Sequence, residues 1–187
     1  MKPQLATMKT DGSESVEATE LLAVDVEIAA DGWRVALDDP EGICRRTIGG
    51  AFGELDYPER AYEVSVVLTD DAHQRKLNAT YRGKDASTNV LSFPADEDPD
   101  GAFPGDLAMP LGDVTLALET VSREAGDEGL SFADHFCHLL VHGMLHLAGY
   151  DHETDNDAER MEMLEIEILA GLGVDNPYAD RAPALHE

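Results

Sequence analysis

Three histidines in the C-terminal third of the chain, His142, His146 and His152, have the spacing of a metal site. The first two are four residues apart, so on an α-helix they share one face and lie about 6 Å apart along the axis. Gly149 can adopt a left-handed conformation that ends this helix and returns His152 to the same point. Three protein ligands leave the fourth position of a tetrahedral zinc open to water, as in catalytic zinc sites. The spacing therefore predicts a zinc hydrolase with one ion per chain.

The residue after the first histidine separates this motif from that of the zinc peptidases. Those enzymes carry a glutamate there as general base, within His-Glu-x-x-His on a helix, whereas this chain has Gly143. Two other interpretations of the histidines stay open from the residues alone. They could lie on a buried helix face without a metal, or hold a structural zinc with a fourth protein ligand. Cys137 is a poor fourth ligand, because it lies five residues before His142 and faces away from it.

Three segments of the chain carry a wider pattern. They are His138–His152, which includes the three histidines, Asn78–Pro94, and Leu111–Val114. Together they resemble the YbeY family of bacterial rRNA-maturation endoribonucleases, and the resemblance extends from about residue 21 to residue 172. The chain departs from the family in a polar N-terminal extension, a long acidic insert, and Ala86 at a position where proline is expected. None of these departures removes a proposed ligand.

The resemblance implies a zinc-dependent endoribonuclease that cleaves single-stranded RNA. In this family the enzyme acts in maturation of the 3′ end of small-subunit rRNA and in ribosome quality control. The implied partners are rRNA precursors and ribosomal particles. Ribosomal proteins or an assembly GTPase are further implied partners, whereas DNA and membranes are not expected to bind. Two other functions stay open. A zinc peptidase or amidohydrolase would need a carboxylate base from elsewhere in the chain, and a non-catalytic ribosome-assembly factor would use zinc to stabilise its fold.

Arg82 is the strongest candidate outside the histidines. It precedes Gly83, which allows a ligand to approach the backbone closely. A guanidinium there can hold a phosphate through two hydrogen bonds and stabilise the charge of a transition state. Because the resemblance also places a functional arginine here, Arg82 and His142 are the predicted catalytic residues.

The weaker candidates would support the ligands or the RNA. Asp151 and His138 could orient a ligand imidazole or line the cleft, since metal-bound histidines usually pair through their second nitrogen. His135 lies on the same helix face as His138. The pattern fits an ordinary helix histidine with no role in the site at least as well as it fits a residue of the site. Lys84 and Asn89 could contact the RNA backbone.

The net charge of the chain neither supports nor excludes RNA as the substrate. The chain has 39 acidic and 13 basic residues, for a formal charge of −26, whereas nucleic-acid-binding proteins usually carry a basic surface. Nearly half of the basic residues lie within one short stretch, which leaves room for a locally basic groove. They are Arg45, Arg46, Arg75, Lys76, Arg82 and Lys84.

Composition favours a cytoplasmic protein. No apolar run approaches the roughly 18–20 residues that span a membrane. The N-terminus lacks the basic and apolar regions of a signal peptide. Cys44 and Cys137 lie far apart in predicted helices, so reduced thiols are expected.

The order of elements predicts one α/β (α+β) domain, with a mixed sheet of about four strands, about five helices, and the metal site at the end of a central helix. The predicted caps include Asp39, Asp70, Ser131 and Asp155. A bend or bulge is expected near Pro110 or Gly112. The domain is predicted over 20–174, with a disordered acidic extension at 1–19, an acidic loop insert at 95–106 and a tail at 175–187.

Overall fold

The computed structural model describes residues 21–96, 103, 104 and 107–179. The strands are β1 (Leu22–Ile28), β2 (Tyr62–Thr69), β3 (Val90–Pro94) and β4 (Met109–Ala117). The helices are α1 (Gly32–Ala36), α2 (Pro40–Gly53), α3 (Asp71–Arg82), α4 (Leu118–Glu128), α5 (Phe132–Leu147) and α6 (Asp155–Gly171). The predicted extension at 1–19 and most of the predicted insert lie outside the described residues.

The four strands form one mixed sheet in the order β1–β2–β4–β3. β1, β2 and β4 run parallel, and β3 pairs antiparallel with β4 at one edge. The predicted fold class and strand number are confirmed. Glu63 lies opposite Pro110 while Val64 lies opposite Gly112, so Leu111 is an extra residue that forms a bulge where the sequence predicts one.

Helix α5, which carries His142 and His146, is the central helix of the fold. It contacts α2, α4 and α6 as well as β3 and β4. Phe136, Leu140 and Met144 on this helix are fully buried, as expected for a helix that packs on several sides. Its start is fixed by Ser131, whose hydroxyl accepts a hydrogen bond from the Asp134 N–H at 3.2 Å, as predicted. The two histidines therefore lie on a tightly packed element.

Most of the predicted helix ends are confirmed. The Asp39 carboxylate accepts a hydrogen bond from the Gly42 N–H, and the Asp70 carboxylate accepts one from the His73 N–H. Gly83 ends α3 in the left-handed region with φ 68°, a conformation that other residues rarely adopt.

Two details of the prediction are wrong. Thr154, not Asp155, caps α6, since its hydroxyl accepts a hydrogen bond from the Asp157 N–H at 3.2 Å and Asp155 is the first helical residue. The structure also has six helices among its described residues, because α1 was missed. This five-residue helix is stabilised through Trp33, which is fully buried and donates its indole N–H to the Thr69 carbonyl at 2.9 Å. A helix of five residues that is held by the contacts of one side chain is too short to leave a periodic signal in the sequence.

Candidate metal centre

The three predicted ligands meet at the C-terminal end of α5. Ligand atoms of His142, His146 and His152 all lie within 4.8 Å of one another. Gly149 has the expected positive φ of 83°, and the turn that it forms brings the exposed His152 back to the helix. The Nε2 atoms of His142 and His146 are 3.0 Å apart. Two ligands of a tetrahedral zinc at 2.0–2.1 Å are separated by about 3.3 Å, so this pair has the required spacing.

The other ring nitrogens of the helical pair are held by protein acceptors. His142 Nδ1 lies 2.7 Å from Glu165 Oε1, and His146 Nδ1 lies 3.0 Å from the Tyr150 carbonyl. A carbonyl and an ionised carboxylate can only accept, so both Nδ1 atoms carry a proton, and in the neutral form of each ring the Nε2 atom presents a lone pair. Two lone pairs that face each other at 3.0 Å repel unless a cation lies between them. The donor set therefore fits a metal ion.

Burial, with smaller effects of the neighbouring His142, His152 and Arg82, lowers the pKa of His146 to about 4. His146 is therefore neutral near pH 7, which is the form that binds a metal. Burial by itself would raise the pKa of Glu165, but hydrogen bonds from His138, His142 and Tyr178 outweigh it and lower this pKa to about 2. The carboxylate is thus ionised beside a ligand imidazole.

Glu165 is the site residue that the sequence interpretation missed. Its carboxylate is fully buried, and its two oxygens are shared among His142, His138 and Tyr178. The sequence does contain a signal for it. Glu165 occupies a position on the buried face of α6, and a charged residue at such a position requires a partner. The neighbours on this face are Met161, Leu164, Ile168 and Leu169.

Asp151 and His138 flank the cluster in different ways. Asp151 accepts a hydrogen bond from the Glu153 N–H at 3.3 Å and so shapes the turn before α6. His138 Nε2 lies 3.1 Å from the Tyr178 hydroxyl and 3.4 Å from Glu165 Oε2. Through Tyr178, the segment after α6 packs directly against the histidine helix.

A cleft of about 350 Å³ opens beside His142 and His152. Its polar lining consists of Asn89, Glu124, Glu128, His135, His138, His142, His152, Glu162, Glu165 and Tyr178. Of the proposed RNA contacts, Asn89 belongs to this wall, where its side-chain amide donates to Glu124 at 2.9 Å. No lysine or arginine among the described residues lines the cleft, so this wall is acidic and the anticipated basic groove does not lie here.

Two basic candidates lie instead at the end of α3. Arg82 is the last residue of the helix, Lys84 follows Gly83, and both side chains are exposed. Arg82 lies close enough to the cluster for its charge to lower the pKa of His146. Arg75, one of the basic residues of the predicted stretch, is neutralised by a two-pronged contact with Asp85 at 2.6 and 2.8 Å.

Position 143, where zinc peptidases carry their glutamate, faces the sheet. A Cβ atom on Gly143 would lie 2.7 Å from Val114 Cγ1 and 3.3 Å from Ser92 Oγ. The Ser92 hydroxyl also donates to the Gly143 carbonyl at 3.2 Å. The close packing of α5 on the sheet therefore disfavours a side chain at the position of the peptidase base, where a glutamate would have to displace Val114 and would point toward the sheet.

An α/β domain with three convergent imidazoles, an orienting carboxylate and an open cleft has the architecture of a metal-dependent hydrolase. Comparison with known proteins narrows this class. The family described as Endoribonuclease YbeY matches residues 34–173. This chain belongs to that family and is an RNA-cleaving hydrolase.

Curated relatives agree with the family match. The chain is 47% identical over 164 residues to the Endoribonuclease YbeY of Paramagnetospirillum magneticum, covering 86% of this chain and 100% of the relative. It is 52% identical over 162 residues to that of Rhodopseudomonas palustris strain HaA2, covering 85% and 83%. It is 48% identical over 179 residues to that of Bradyrhizobium diazoefficiens, covering 95% and 93%.

Among the residues that the structure describes, no helix has both the length and the apolar character of a membrane span.

Proposed function

We propose that this chain is a zinc-dependent endoribonuclease that cleaves single-stranded RNA in the cytoplasm. Its substrate is the precursor of small-subunit rRNA, cut near the 3′ end, and it also acts in ribosome quality control on ribosomal particles. Ribosomal proteins or an assembly GTPase guide it to these particles. The family membership supports the RNA-cleaving activity. The observation that carries the proposal is the convergence of three imidazoles whose ligand atoms lie within 4.8 Å of one another beside an open cleft.

The chemistry of the donor set favours zinc, with one ion per chain. Three neutral imidazoles in a compact arrangement suit zinc better than the hard, oxygen-seeking magnesium or calcium. When bound, such an ion supplies a Lewis acid that lowers the pKa of water and polarises a phosphoryl oxygen. His142, His146 and His152 would hold it.

The remaining residues act through charge and orientation. Glu165 keeps the proton of His142 on Nδ1 and thereby directs Nε2 toward the metal position. Arg82 binds the scissile phosphate and stabilises the negative charge that develops on it. The water or ribose hydroxyl that attacks the phosphorus needs no glutamate at position 143, which is consistent with the packing of Gly143 against Val114.

Metal content and RNA cleavage of His146→Ala test the proposal together. Wild-type protein should hold about one zinc per chain and cleave a single-stranded RNA from the precursor region, while His146→Ala should lose both the metal and the cleavage. His73→Ala is the matched control, because His73 is an exposed histidine on α3 and does not belong to the cluster. Full zinc occupancy in His146→Ala would remove the three-histidine site, and cleavage of casein but not RNA by the zinc form would favour a peptidase.

A further inference from the structure

Tyr81 is an exposed aromatic residue beside the proposed phosphate-binding arginine. Its side chain is 68% exposed, and the other large exposed hydrophobic residues of the described chain, Val35, Leu107 and Met163, are aliphatic. Exposed aromatic rings are the groups on which proteins stack unpaired bases. Tyr81 directly precedes Arg82 at the end of α3.

The ring of Tyr81 is supported from the sheet. Its centroid lies 5.1 Å from that of Phe93 on β3, with the two planes at 62° in an edge-on contact. Such a contact restrains the ring while much of its surface stays open to solvent. A restrained ring loses little conformational freedom when a ligand stacks on it, so it is prepared for binding.

Tyr81 and Phe93 lie on the face of the sheet opposite to α5. Ser92 and Phe93 are successive residues of β3, so their side chains point to opposite faces. The Ser92 hydroxyl donates to the carbonyl of Gly143 on α5, whereas Phe93 contacts Tyr81 on α3. The ring is therefore related to the proposed phosphate site through Arg82, its neighbour on α3, and not through the histidine helix.

The charge around Tyr81 suits a nucleic-acid backbone. Arg82 and Lys84 are exposed, and neither makes an ion pair with a carboxylate in the described part of the chain. Arg75 differs from them, since it is paired with Asp85 at 2.6 Å. Two exposed cations thus follow Tyr81 within three residues of the chain, in a protein whose overall charge is −26, so an anionic ligand is favoured here over most of the remaining surface.

We propose that Tyr81 is a stacking site for one unpaired RNA base next to the cleaved phosphate, with Arg82 and Lys84 binding the adjoining backbone. The inference rests on the proposed function and adds how the enzyme selects single strands. A base within a duplex has both faces covered by its neighbours, whereas an unpaired base can turn out and stack on an aromatic ring. Stacking is tolerant of sequence because every base has a π-face.

Binding of metal-loaded, full-length variants to a 2′-O-methyl single strand, with the strand shown to be intact after each measurement, provides the first test. Tyr81→Ala and Tyr81→Leu should weaken the affinity about 5- to 150-fold, the range for loss of one stacked base. Tyr81→Trp should bind as tightly as wild type or more tightly. Leucine keeps an apolar contact with Phe93, so it separates loss of stacking from loss of packing. Val35→Ala, at a distant residue that is 90% exposed, should leave the affinity unchanged.

A scan with single abasic positions gives a second and independent measurement. In wild type, removal of one particular base should weaken binding by the factor that Tyr81→Ala costs, and in Tyr81→Ala the same removal should have no effect, since the two changes delete one contact. Affinity for a base-paired duplex should be equal in both proteins. Single-strand affinity of Tyr81→Ala within twofold of wild type, or equal abasic losses in both proteins, overturns the stacking site.

These outcomes separate the stacking site from the proposed function. A wild-type protein that shows the abasic pattern without cleaving RNA would retain the stacking site and remove the nuclease proposal. Normal RNA cleavage by the wild type, together with wild-type affinity of Tyr81→Ala, would support the nuclease proposal and exclude the stacking site. Association of Tyr81 with a protein partner instead would appear as unchanged RNA affinity, and it counts against the proposal.

Discussion

Glu165 and Arg82 bring opposite charges to the histidine cluster. Glu165 is buried and accepts a hydrogen bond from His142 Nδ1 at 2.7 Å, so it fixes the tautomer and orientation of that imidazole. Arg82 is exposed and lowers the pKa of His146, so its charge favours neutral rings and attracts phosphate. Glu165 thus pairs with a proposed metal ligand, and Arg82 is the proposed contact of the substrate phosphate.

Glu165→Gln should weaken metal binding without abolishing it. The glutamine carbonyl can still accept from His142, but the negative charge is lost and the amide group cannot accept from Tyr178 and His138 as the carboxylate does. Loss of an outer-shell partner typically costs about 10- to 100-fold in metal affinity, which competition with a zinc indicator would measure. Glu167→Gln is the matched control, since Glu167 is exposed on the same helix. Equal zinc affinity in both variants would show that Glu165 does not position the ligand.

Arg82→Ala should fold, keep its zinc and lose RNA cleavage. Removal of one charge-stabilising donor costs on the order of 10²–10³ in rate. Arg82→Lys should recover only part of the rate, because an ammonium keeps the charge but not the two-pronged geometry. Single-turnover cleavage and zinc content measure these effects. Arg82→Ala at a near wild-type rate would exclude the arginine from the mechanism, while loss of zinc would make it a structural residue.

Close packing between α5 and the sheet is the main property of the fold at the scale of its elements. Gly143 has no side chain at the point where the helix meets Val114 on β4 and Ser92 on β3. The absence of a Cβ atom lets the backbone of α5 approach the sheet, and Ser92 then bonds the helix carbonyl. A glycine inside a long helix is unfavourable by itself, so its presence here reflects the tertiary contact.

Gly143→Ala should therefore lower the free energy of unfolding, although alanine is the better helix former. Overpacking typically costs about 1–3 kcal/mol, which exceeds the roughly 0.8–1.0 kcal/mol that helix propensity returns. Gly126→Ala is the matched control on α4, because a Cβ atom there meets nothing within 4 Å; it should be stabilising. Urea denaturation of both variants tests this contrast. A Gly143→Ala protein as stable as Gly126→Ala would show that α5 can move away from Val114 at little cost.

The balance of charge over the whole molecule makes its stability depend on pH in two opposing ways. The formal charge of −26 produces self-repulsion that weakens as carboxylates are protonated. Against this, the folded protein holds His146 neutral and Glu165 ionised, with pKa values of about 4 and about 2. Both values lie below those of the same groups in the unfolded chain.

The free energy of unfolding of the metal-free protein should decrease through His146 as the pH falls from about 6.5 to about 4. In this window the unfolded chain binds a proton that the folded chain refuses, so acid favours unfolding. Glu165 causes a second decrease in stability between about pH 4.5 and about pH 2, where its carboxylate becomes protonated. Denaturation of wild type and His146→Ala in the presence of a chelator, at pH 7.0 and pH 4.5, isolates the first effect, on the order of 2 kcal/mol. The same decrease in both proteins would show that His146 is not the responsible group.

Local features of this protein were determined by the sequence itself. The spacing of His142 and His146, the Ser131 cap and the turn at Gly83 depend on a few neighbouring residues, and helix geometry converts such spacing directly into position. The strand Tyr62–Thr69 consists of alternating, largely β-branched residues, and such an alternation has a clear period that the sequence alone shows. For the same reason the fold class and the three-histidine cluster could be predicted.

Only the tertiary structure decided what surrounds the histidines. Glu165 lies 23 residues after His142 along the chain, and Tyr178 lies beyond the end of α6, so their contact with the site depends on how α6 packs against α5. The acidic wall of the cleft likewise combines side chains from α4, α5, α6 and the segment before β3. No local spacing encodes such a combination, because packing between distant elements is set by the whole core. The sequence thus specified the ligands, and the fold selected their partners and the charge that a substrate meets.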